Sequence, residues 1–343
     1  MGDQPLVRVI IPTYNRKANI LRLLDNLRQQ TLPPDQFEVL VMDDGSTYDP
    51  SDIIEQTYPF VVQYLRQKNQ GATIARNNAA RQSRGEVLVF MDDDVTISPP
   101  TLAALAETCQ TQAQVIAMGS LIARTAEEEP SPFTRRMLEV ANASPHASYS
   151  NGKDHELHFT WCNTELLAVL RSDFFALDML QDPTGGWPNW DDIDFGYRAH
   201  QKGYRLIQSG KATGYHWDYS LGDLKAACKR WQRAGNSAVR LFQVYPDLKS
   251  VIPMLVDKTP IEWSKDSPRL ILRKVLYRIV ASKPVLSGME YGVTILEQIS
   301  PSGKLLAAFY RWIQGSYMLR GYQEGLQQTR LVQPGGNNIS FRH

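Results

Sequence analysis

The sequence has little cysteine and no long uninterrupted apolar run. Its three cysteines, Cys109, Cys162 and Cys228, are odd in number, far apart and without metal-ligand spacing. This pattern excludes a disulfide framework and indicates a reducing compartment. No stretch approaches the ~18 apolar residues that a membrane-spanning helix needs, and the N-terminal residues do not read as a signal peptide. We therefore expect a cytoplasmic protein.

An excess of charge of one sign is also missing. The chain has 37 Lys and Arg against 36 Asp and Glu, a formal net charge of +1. No global positive field therefore favours nucleic acid as a partner. No G-x-G-x-x-G follows the first apolar run, which disfavours a dinucleotide-binding dehydrogenase.

Apolar runs alternate with helical patterns through the first part of the chain. Strands are predicted at 7–12, 37–42, 61–65 and 87–91. Between the first two, Ile20, Leu23, Leu24 and Leu27 recur at helical spacing. This alternation predicts an α/β fold with a mostly parallel sheet flanked by helices. Later strands are expected at 115–124, 158–163, 166–171 and 204–208, and only helices after residue 221.

Carboxylates directly follow two of the predicted strands. Asp43 and Asp44 end the second strand, and Asp92, Asp93 and Asp94 end the fourth. Adjacent carboxylates repel each other, and parallel strands bring their carboxyl ends to one ligand-binding edge. Divalent cations bridge such carboxylates to phosphates, so the pattern predicts a metal–diphosphate site. The alternatives are a cap for the helix that starts near residue 99 and a simple turn at residues 43–45.

Four segments in order resemble one enzyme family. They are I-I-P-T-Y-N-R at 10–16, V-M-D-D-G-S at 41–46, N-Q-G-A-T-I-A-R-N at 69–77 and F-M-D-D-D at 90–94. Together they resemble the inverting family 2 glycosyltransferases of the Rossmann-like GT-A type, which use a nucleotide-diphosphosugar donor. W-D-D-I-D-F-G-Y-R at 190–198 resembles the acidic base motif of that family. The resemblance covers about residues 7–245.

The resemblance implies a set of donor-binding residues. These are Pro12, Thr13, Asn15, Asp44, Gln70, Gly71, Arg76, Asp92 and Asp93. The first three would shape the nucleotide loop, and Asp44 would hydrogen-bond the base. A cation such as Arg76 beside a diphosphate is physically reasonable, and the alternative for it is a solvated helix face.

A divalent metal, Mn²⁺ or Mg²⁺, is also implied. Asp94 would ligate it, Asp92 would contact metal or ribose, and His216 stands where many GT-A enzymes supply a third ligand. The metal would neutralise the departing nucleotide diphosphate. The alternative for His216 is packing among aromatic side chains.

The base motif of the family is usually Glu-Asp, and here it is Asp191-Asp192. Asp192 aligns with the general base, which accepts the proton of the acceptor hydroxyl as its oxygen attacks the anomeric carbon. A single displacement would invert that carbon. Asp191 as the base, or both as helix caps, are the alternatives.

Three residues are predicted to contact the acceptor. Trp187 and Trp190 offer flat faces to a sugar ring, and Asn163 resembles a position near the acceptor. The alternative for both tryptophans is core packing.

The C-terminal helices are basic. Residues 265–330 contain ten Lys and Arg against four Asp and Glu, a difference of +6. A solvated face is the commoner explanation of such a surplus. The other is peripheral contact with the inner face of a membrane, which would suit a lipid-linked acceptor.

These observations predict a metal-dependent inverting glycosyltransferase that uses a UDP-sugar and a glycan or lipid-linked acceptor. We expect a GT-A domain at 1–220 (donor half about 1–125, acceptor half about 126–220), a helical extension at 221–330 and a disordered tail at 331–343. The rivals are a sugar nucleotidyltransferase, whose glycine-rich loop is missing here, and a nucleotide-sugar-binding protein without turnover.

Overall fold

The protein is described by a computed structural model that covers residues 6–147, 152–184, 190–217 and 222–332. The chain divides into two compact units. The first consists of Met1–Pro130, Met137–Asp182 and Asp191–Tyr219, and the second of Ser131–Arg136, Pro183–Trp190 and Ser220–His343. The second unit therefore takes two short segments from the part of the chain that the sequence assigned to the first domain.

One mixed sheet forms the centre of the first unit. Its strands in the described residues are β1 (Val7–Thr13), β2 (Phe37–Asp43), β3 (Val61–Arg66), β4 (Val87–Met91), β5 (Val95–Ile97), β6 (Val115–Ala123), β7 (His155–Leu157), β8 (Leu166–Leu170) and β9 (Arg205–His216). Their order is β3-β2-β1-β4-β8-β6-β9-β5, and β7 also pairs with β9. The predicted α/β class is confirmed.

Parallel pairing is concentrated where the sequence predicted it. Strands β3, β2, β1 and β4 pair in parallel, as do β6 and β9. The pairs β4–β8, β6–β8, β5–β9 and β7–β9 are antiparallel. The part of the sheet formed by β3, β2, β1 and β4 is thus parallel, and the part beyond β4 is mixed.

Helices cover the sheet and build the second unit. They are α1 (Lys17–Leu27), α2 (Ser51–Ile54), α3 (Ala72–Gln82), α4 (Thr101–Thr111), α5 (Pro132–Asn142), α6 (Arg171–Ala176), α7 (Asp191–Gln201), α8 (Leu224–Val244), α9 (Leu248–Val251), α10 (Pro253–Val256), α11 (Pro268–Val280), α12 (Lys283–Ile299) and α13 (Lys304–Val332). No helix in the described part of the chain combines the length and apolarity needed to cross a bilayer.

The continuous apolar runs of the central strands are explained by burial on both faces. Val9 and Ile11 of β1 pack in one cluster with α1 and α4, while Ile10 packs in the other with α3 and α7. A strand covered on both sides has no polar face, so it reads as an unbroken apolar run. The four predicted apolar residues of α1 are all buried.

Two strand predictions differ from the structure, and two short strands, β5 and β7, were not predicted. Residues 158–163 are not a strand, because a short 3₁₀ turn follows β7 at Phe159–Trp161. Strand β9 ends at His216 rather than at Gln208. Residues 209–211, which are Ser-Gly-Lys, interrupt the apolar pattern, so this extension is not apparent from the sequence. Strand β5 has only three residues, too few to give a periodic signal.

The second unit is helical in its described residues, as the sequence predicted for 221–330. Helices α8 and α13 approach closely at small residues: a Cβ on Gly321 would lie 1.8 Å from the carbonyl oxygen of Gln232. Only glycine permits this distance between the two backbones. Apart from Leu331 and Val332 at the end of α13, the predicted tail lies outside the described residues.

Candidate active site

The parallel register brings the loops after β1, β2 and β4 to one edge of the sheet. Thr13 pairs with Asp43 across β1 and β2, and Thr13 Oγ1 donates a 2.7 Å hydrogen bond to Asp93 Oδ2. Pro12 is buried inside β1. The predicted nucleotide loop and the acidic cluster are therefore in direct contact.

Asn15 joins the first two loops. Its backbone is left-handed, with φ 55°, a region that asparagine tolerates better than most residues. Its amide nitrogen donates to Ser46 Oγ at 2.8 Å, and its Oδ1 accepts from the Thr47 amide at 2.9 Å. Asn15 therefore links the loop after β1 to the loop after β2, and its part in receiving a nucleotide stays a prediction.

Asp43 is a buried anchor of the second loop. It accepts hydrogen bonds from the Ser46 amide at 2.8 Å, from Arg66 Nε at 2.6 Å and from the Tyr64 hydroxyl. Burial alone would raise the pKa of Asp43, but these hydrogen bonds outweigh it and hold that pKa below its ordinary value. Asp43 is therefore a charged structural residue.

Asp44 positions the loop that precedes α3. Its Oδ1 accepts from Gln67 Nε2 at 2.8 Å and from the Gln70 amide at 2.9 Å, and its Oδ2 accepts from the Gly71 amide at 2.8 Å. Gly71 has φ +93°, a conformation that favours glycine. The buried carboxylate of Asp44 thus organises Gln70 and Gly71, and contact with a base is a further role still to be tested.

Arg76 is not on a solvated helix face. It is buried on α3 and forms an ion pair with Asp92. Burial lowers the pKa of Arg76, but the charges of Asp92, Asp192 and Asp191 raise it more. One guanidinium therefore lies in the field of the acidic cluster and of the predicted base.

The carboxylates of Asp93 and Asp94 share a cation that the sequence analysis did not single out. Arg16 Nη1 lies 2.9 Å from Asp93 Oδ1 and 2.9 Å from Asp94 Oδ2. Burial, only partly offset by Thr13 and Arg16, raises the pKa of Asp93 to about 6. The capping alternative fails, because α4 begins at Thr101 and its N-cap residue is Pro100.

His216 reaches the same cluster through the sheet. The β5–β9 pairing places it opposite Val95, and its Nε2 lies 3.3 Å from Asp94 Oδ1. Its Nδ1 lies 3.8 Å from Glu165 Oε2. Burial raises the pKa of Asp94, but His216 and Arg16 lower it more, so Asp94 is charged near neutral pH.

Asp191 and Asp192 begin α7 and have different surroundings. Asp191 is buried and its Oδ2 accepts a 2.7 Å hydrogen bond from Thr73 Oγ1. Asp192 Oδ1 is buried and accepts no hydrogen bond from the described residues. Burial and the neighbouring Asp191 raise the pKa of Asp192 well above its usual range, against the opposing effect of Arg76. Neither residue is the N-cap, because the helix already includes both.

The structure describes two of the three residues that were predicted to contact the acceptor, Trp190 and Asn163. Trp190 is a packed residue of the second unit: it is buried, and its Nε1 donates to the Ala234 carbonyl at 3.0 Å and to Ser237 Oγ at 3.1 Å. The prediction of Trp190 as a sugar platform is corrected to the packing alternative. Asn163 Oδ1 accepts from the Glu165 amide at 3.2 Å. Trp187 lies outside the described residues.

Comparison with known proteins finds relatives of the first part of the chain. The family described as glycosyl transferase family 2 matches residues 8–173. These residues are therefore similar to family 2 glycosyltransferases. An uncharacterized glycosyltransferase of Haemophilus influenzae is 41% identical over 112 residues, 32% of this chain and 34% of that protein. Validoxylamine A glucosyltransferase of Streptomyces hygroscopicus is 28% identical over 232 residues, 61% of this chain and 51% of that protein.

Solved structures agree on the GT-A fold. The mannosyltransferase PcManGT of Pyrobaculum calidifontis, in complex with GDP-Man and Mn²⁺, has a TM-score of 0.57 at 20% identity and covers 95% of this chain and 88% of its own. TarS residues 1–349 of S. aureus, in complex with UDP-GlcNAc, has a TM-score of 0.53 at 15% identity, with 98% and 94% covered. The matched segments span only a third to a half of the two curated relatives named above.

Asp94 and His216 in the first unit have the chemistry of divalent-cation ligands. Across residues 6–147, 152–184, 190–217 and 222–332, no three His, Cys, Asp or Glu side chains form a cage for a metal ion. Asp94 Oδ1 and His216 Nε2 nevertheless converge at 3.3 Å. A carboxylate oxygen and an imidazole nitrogen suit Mn²⁺, and Mg²⁺ commonly takes its remaining ligands from substrate phosphates and water. The residues present fit a metal that a diphosphate completes.

Sequence reasoning missed four residues of the candidate site. Arg16, Thr73, Thr164 and Glu165 each interact with a predicted site carboxylate or with His216. Arg16 and Thr73 lie inside the quoted motifs, and Thr164 and Glu165 directly follow Asn163. Proximity to the named residues was therefore the only available signal.

Proposed function

We propose that the chain is an inverting glycosyltransferase that moves a sugar from a nucleotide-diphosphosugar to a hydroxyl group. The observation that carries this proposal is that two carboxylates with different surroundings, Asp92 and Asp192, both interact electrostatically with Arg76. Asp92 is an ion-paired carboxylate at the predicted diphosphate edge, and Asp192 is a carboxylate with a raised pKa and a buried, unbonded oxygen.

Asp192 is proposed as the general base. A base must accept the proton of the acceptor hydroxyl as the oxygen attacks, and a pKa raised toward neutrality makes proton transfer more favourable. Asp192 Oδ1 has no competing donor among the described residues. Asp191 is held by Thr73, so its proposed role is to maintain the negative field that raises the pKa of Asp192.

Asp94, with His216, is proposed to hold Mn²⁺ or Mg²⁺, and Asp92 to contact the metal or the ribose. When bound, such a cation supplies Lewis-acid neutralisation of charge on the departing diphosphate. Gln70 and Gly71, held by Asp44, would present the loop below the ribose and diphosphate. Arg76 would limit the repulsion between the diphosphate and Asp92.

The donor class is supported by the two solved relatives, whose bound ligands are GDP-Man and UDP-GlcNAc. Both are nucleotide-diphosphosugars with different bases, so the choice of a UDP-sugar rests on the family resemblance. The proposed acceptor is a glycan or a lipid-linked sugar, and the proposed location is the cytoplasm.

The deciding experiment is calorimetric titration of UDP, GDP and dTDP, each with and without Mn²⁺. The proteins are the wild type, Asp94→Ala and, as matched control, Asp35→Ala, which removes an exposed carboxylate of the same unit. We expect one nucleotide to bind with Mn²⁺, and this binding to be lost in Asp94→Ala alone. Absence of nucleotide binding to the wild type under every condition would overturn the donor site.

A second experiment distinguishes the proposed enzyme from a nucleotide-sugar-binding protein without turnover. Hydrolysis or transfer of the sugar from the nucleotide that binds is measured with the wild type and with Asp192→Asn. The enzyme proposal predicts turnover in the wild type and retained donor binding without turnover in the variant. Equal inactivity of both proteins, with every acceptor, would favour the binding protein.

A further inference from the structure

Helix α11 in the second unit buries two polar residues, Lys274 and Tyr277. Lys274 is 2% exposed, and its Nζ donates to Asp266 Oδ2 at 2.7 Å and to the Pro260 carbonyl at 2.8 Å. Tyr277 is also buried and packs on Trp312, with ring centroids 4.3 Å apart. Hydrogen bonds and an ion pair therefore stabilise the packing of the buried face of α11. This packing does not require the aliphatic residues of the helix.

The aliphatic residues of α11 are on the outside instead. Leu272 and Ile279 are 58% and 53% exposed, and Val275 and Leu276 are exposed between them. Positions 272, 275, 276 and 279 have the spacing of a single helix face. A soluble helix usually turns such a stripe inward. The stripe on α11 is therefore a contiguous apolar surface that suits a partner.

The charges around the stripe are of one sign. Helix α11 contains Arg269, Arg273, Lys274 and Arg278 and no acidic residue, and Lys283 starts the next helix. The preceding acids are paired: Glu262 with Lys265, Asp266 with the buried Lys274, and the buried Asp257 with Arg273. Arg269 and Lys283 are therefore the exposed cations on which the charge argument rests. Trp263, just before the helix, is 75% exposed. Exposed tryptophan and basic residues beside an apolar stripe are typical of helices that lie in a membrane interface.

We propose that the outer face of α11 binds the surface of an anionic phospholipid bilayer. The four aliphatic residues enter the headgroup boundary, and Arg269 and Lys283 contact the anionic headgroups. A second copy of the chain would offer the same cations and be repelled by them, so charge complementarity favours the lipid surface. The face would hold the protein beside a lipid-linked acceptor, and only this last step rests on the proposed glycosyl transfer.

The test is flotation of the full chain with vesicles of phosphatidylcholine alone or of equal parts phosphatidylglycerol and phosphatidylcholine. Two variants alter exposed residues of the face: Leu272→Ser/Ile279→Ser for the stripe and Arg269→Gln/Lys283→Gln for the charge. The controls make matched changes in the first unit. They are Ile54→Ser/Val61→Ser, at similarly exposed positions, and Lys202→Gln/Lys211→Gln. Circular dichroism verifies that each variant is folded.

The proposal predicts that the wild type floats with the anionic vesicles and much less with the neutral ones. The stripe variant should bind about tenfold more weakly or worse. The charge variant should bind about twenty-five-fold more weakly, because each of its two cations near the surface contributes about a factor of five. Both control variants should float like the wild type.

Equal recovery with neutral and anionic vesicles would overturn the proposal, and so would unchanged flotation of both face variants. Failure of the wild type to float, together with a dimer in analytical ultracentrifugation that Leu272→Ser/Ile279→Ser dissociates, would assign the face to a second copy of the chain. Flotation requires no turnover, so its failure leaves nucleotide binding untouched and the two proposals are judged separately.

Discussion

Thr73 Oγ1 donates a 2.7 Å hydrogen bond to Asp191 Oδ2, joining the first turn of α3 to the first residue of α7. The bond engages Asp191 and leaves its neighbour Asp192 with a buried oxygen that has no donor in the described residues. The two adjacent carboxylates therefore have different chemical roles available to them. This difference supports Asp192 over Asp191 as the base.

Replacing the two carboxylates separately tests that assignment. Asp192→Asn should lower kcat by about 10²–10⁴-fold, since a positioned base contributes that much, while donor affinity stays near the wild-type value. Asp191→Asn should lower kcat by about tenfold at most, because the asparagine oxygen can still accept from Thr73. Initial rates and calorimetry measure both. A larger loss in Asp191→Asn would move the base to Asp191.

The raised pKa of Asp192 gives the activity a pH dependence. The base works only when deprotonated, and burial together with Asp191 raises its pKa. The value of kcat/KM should therefore rise with pH through a step above the ordinary carboxyl pKa of about 4. The Asp191→Asn variant, which removes one cause of the shift, should move this step to lower pH. If the step lies at the same pH in Asp191→Asn as in the wild type, the pH profile does not report the titration of Asp192.

If Asp94 holds a divalent cation, as proposed, Arg16 competes with that cation for the carboxylate. Its guanidinium is half-exposed and lies 2.9 Å from Asp94 Oδ2, so the pair contributes little and is screened by salt. Arg16→Gln should increase the affinity for Mn²⁺ in the absence of nucleotide by about threefold to fivefold. Calorimetric titration with MnCl₂ measures this change, and Arg28→Gln is the matched control on the same unit. Unchanged or weaker Mn²⁺ binding in Arg16→Gln would contradict the competition.

Asp44 tests whether loop position or base contact dominates nucleotide binding. Asp44→Asn should lower the free energy of unfolding by about 2 kcal/mol, because buried amide donors lose a charged acceptor. If Asp44 acts by holding residues 67–71, UDP, GDP and dTDP should all bind more weakly by similar factors. A change in preference among the three would show direct contact with the base. Asp49→Asn, an exposed neighbour on the same loop, is the control.

Lys274 in the second unit is buried and forms an ion pair with Asp266. Asp266→Ala should lower the free energy of unfolding by about 3 kcal/mol, because it leaves a buried ammonium without its carboxylate. The double variant Asp266→Ala/Lys274→Met should be less destabilised than Asp266→Ala, since no unpaired charge remains. Chemical denaturation measures both. Equal destabilisation of the single and double variants would mean that packing, rather than charge, dominates there.

The sequence predicted the first four strands of the sheet because their signals are local. Strands β1, β2 and β4 are buried on both faces, so each is an apolar run, and their carboxylates follow without a gap. The parallel connection rule then placed both acidic clusters at one edge. The burial of Arg76 and its pairing with Asp92 also agree with a site residue rather than a solvated one.

The missed features depend on contacts between distant residues. Arg16 reaches Asp93 and Asp94 across 77 and 78 positions, and no local pattern records that geometry. For Trp190, composition alone left packing and sugar binding equally open. The acceptors that decided it, the Ala234 carbonyl and Ser237 Oγ, lie on a helix 44 and 47 residues further along the chain.

Phe133 packs edge-on against Tyr310 with ring centroids 5.1 Å apart, and Trp190 packs on α8. Both aromatic residues precede residue 220, yet their partners follow it. During synthesis these side chains remain exposed until the C-terminal helices have been made. Ending the chain at residue 219 would leave both aromatic side chains without these partners. We therefore expect residues 1–219 produced alone to aggregate, although all the described strands of the sheet lie within them.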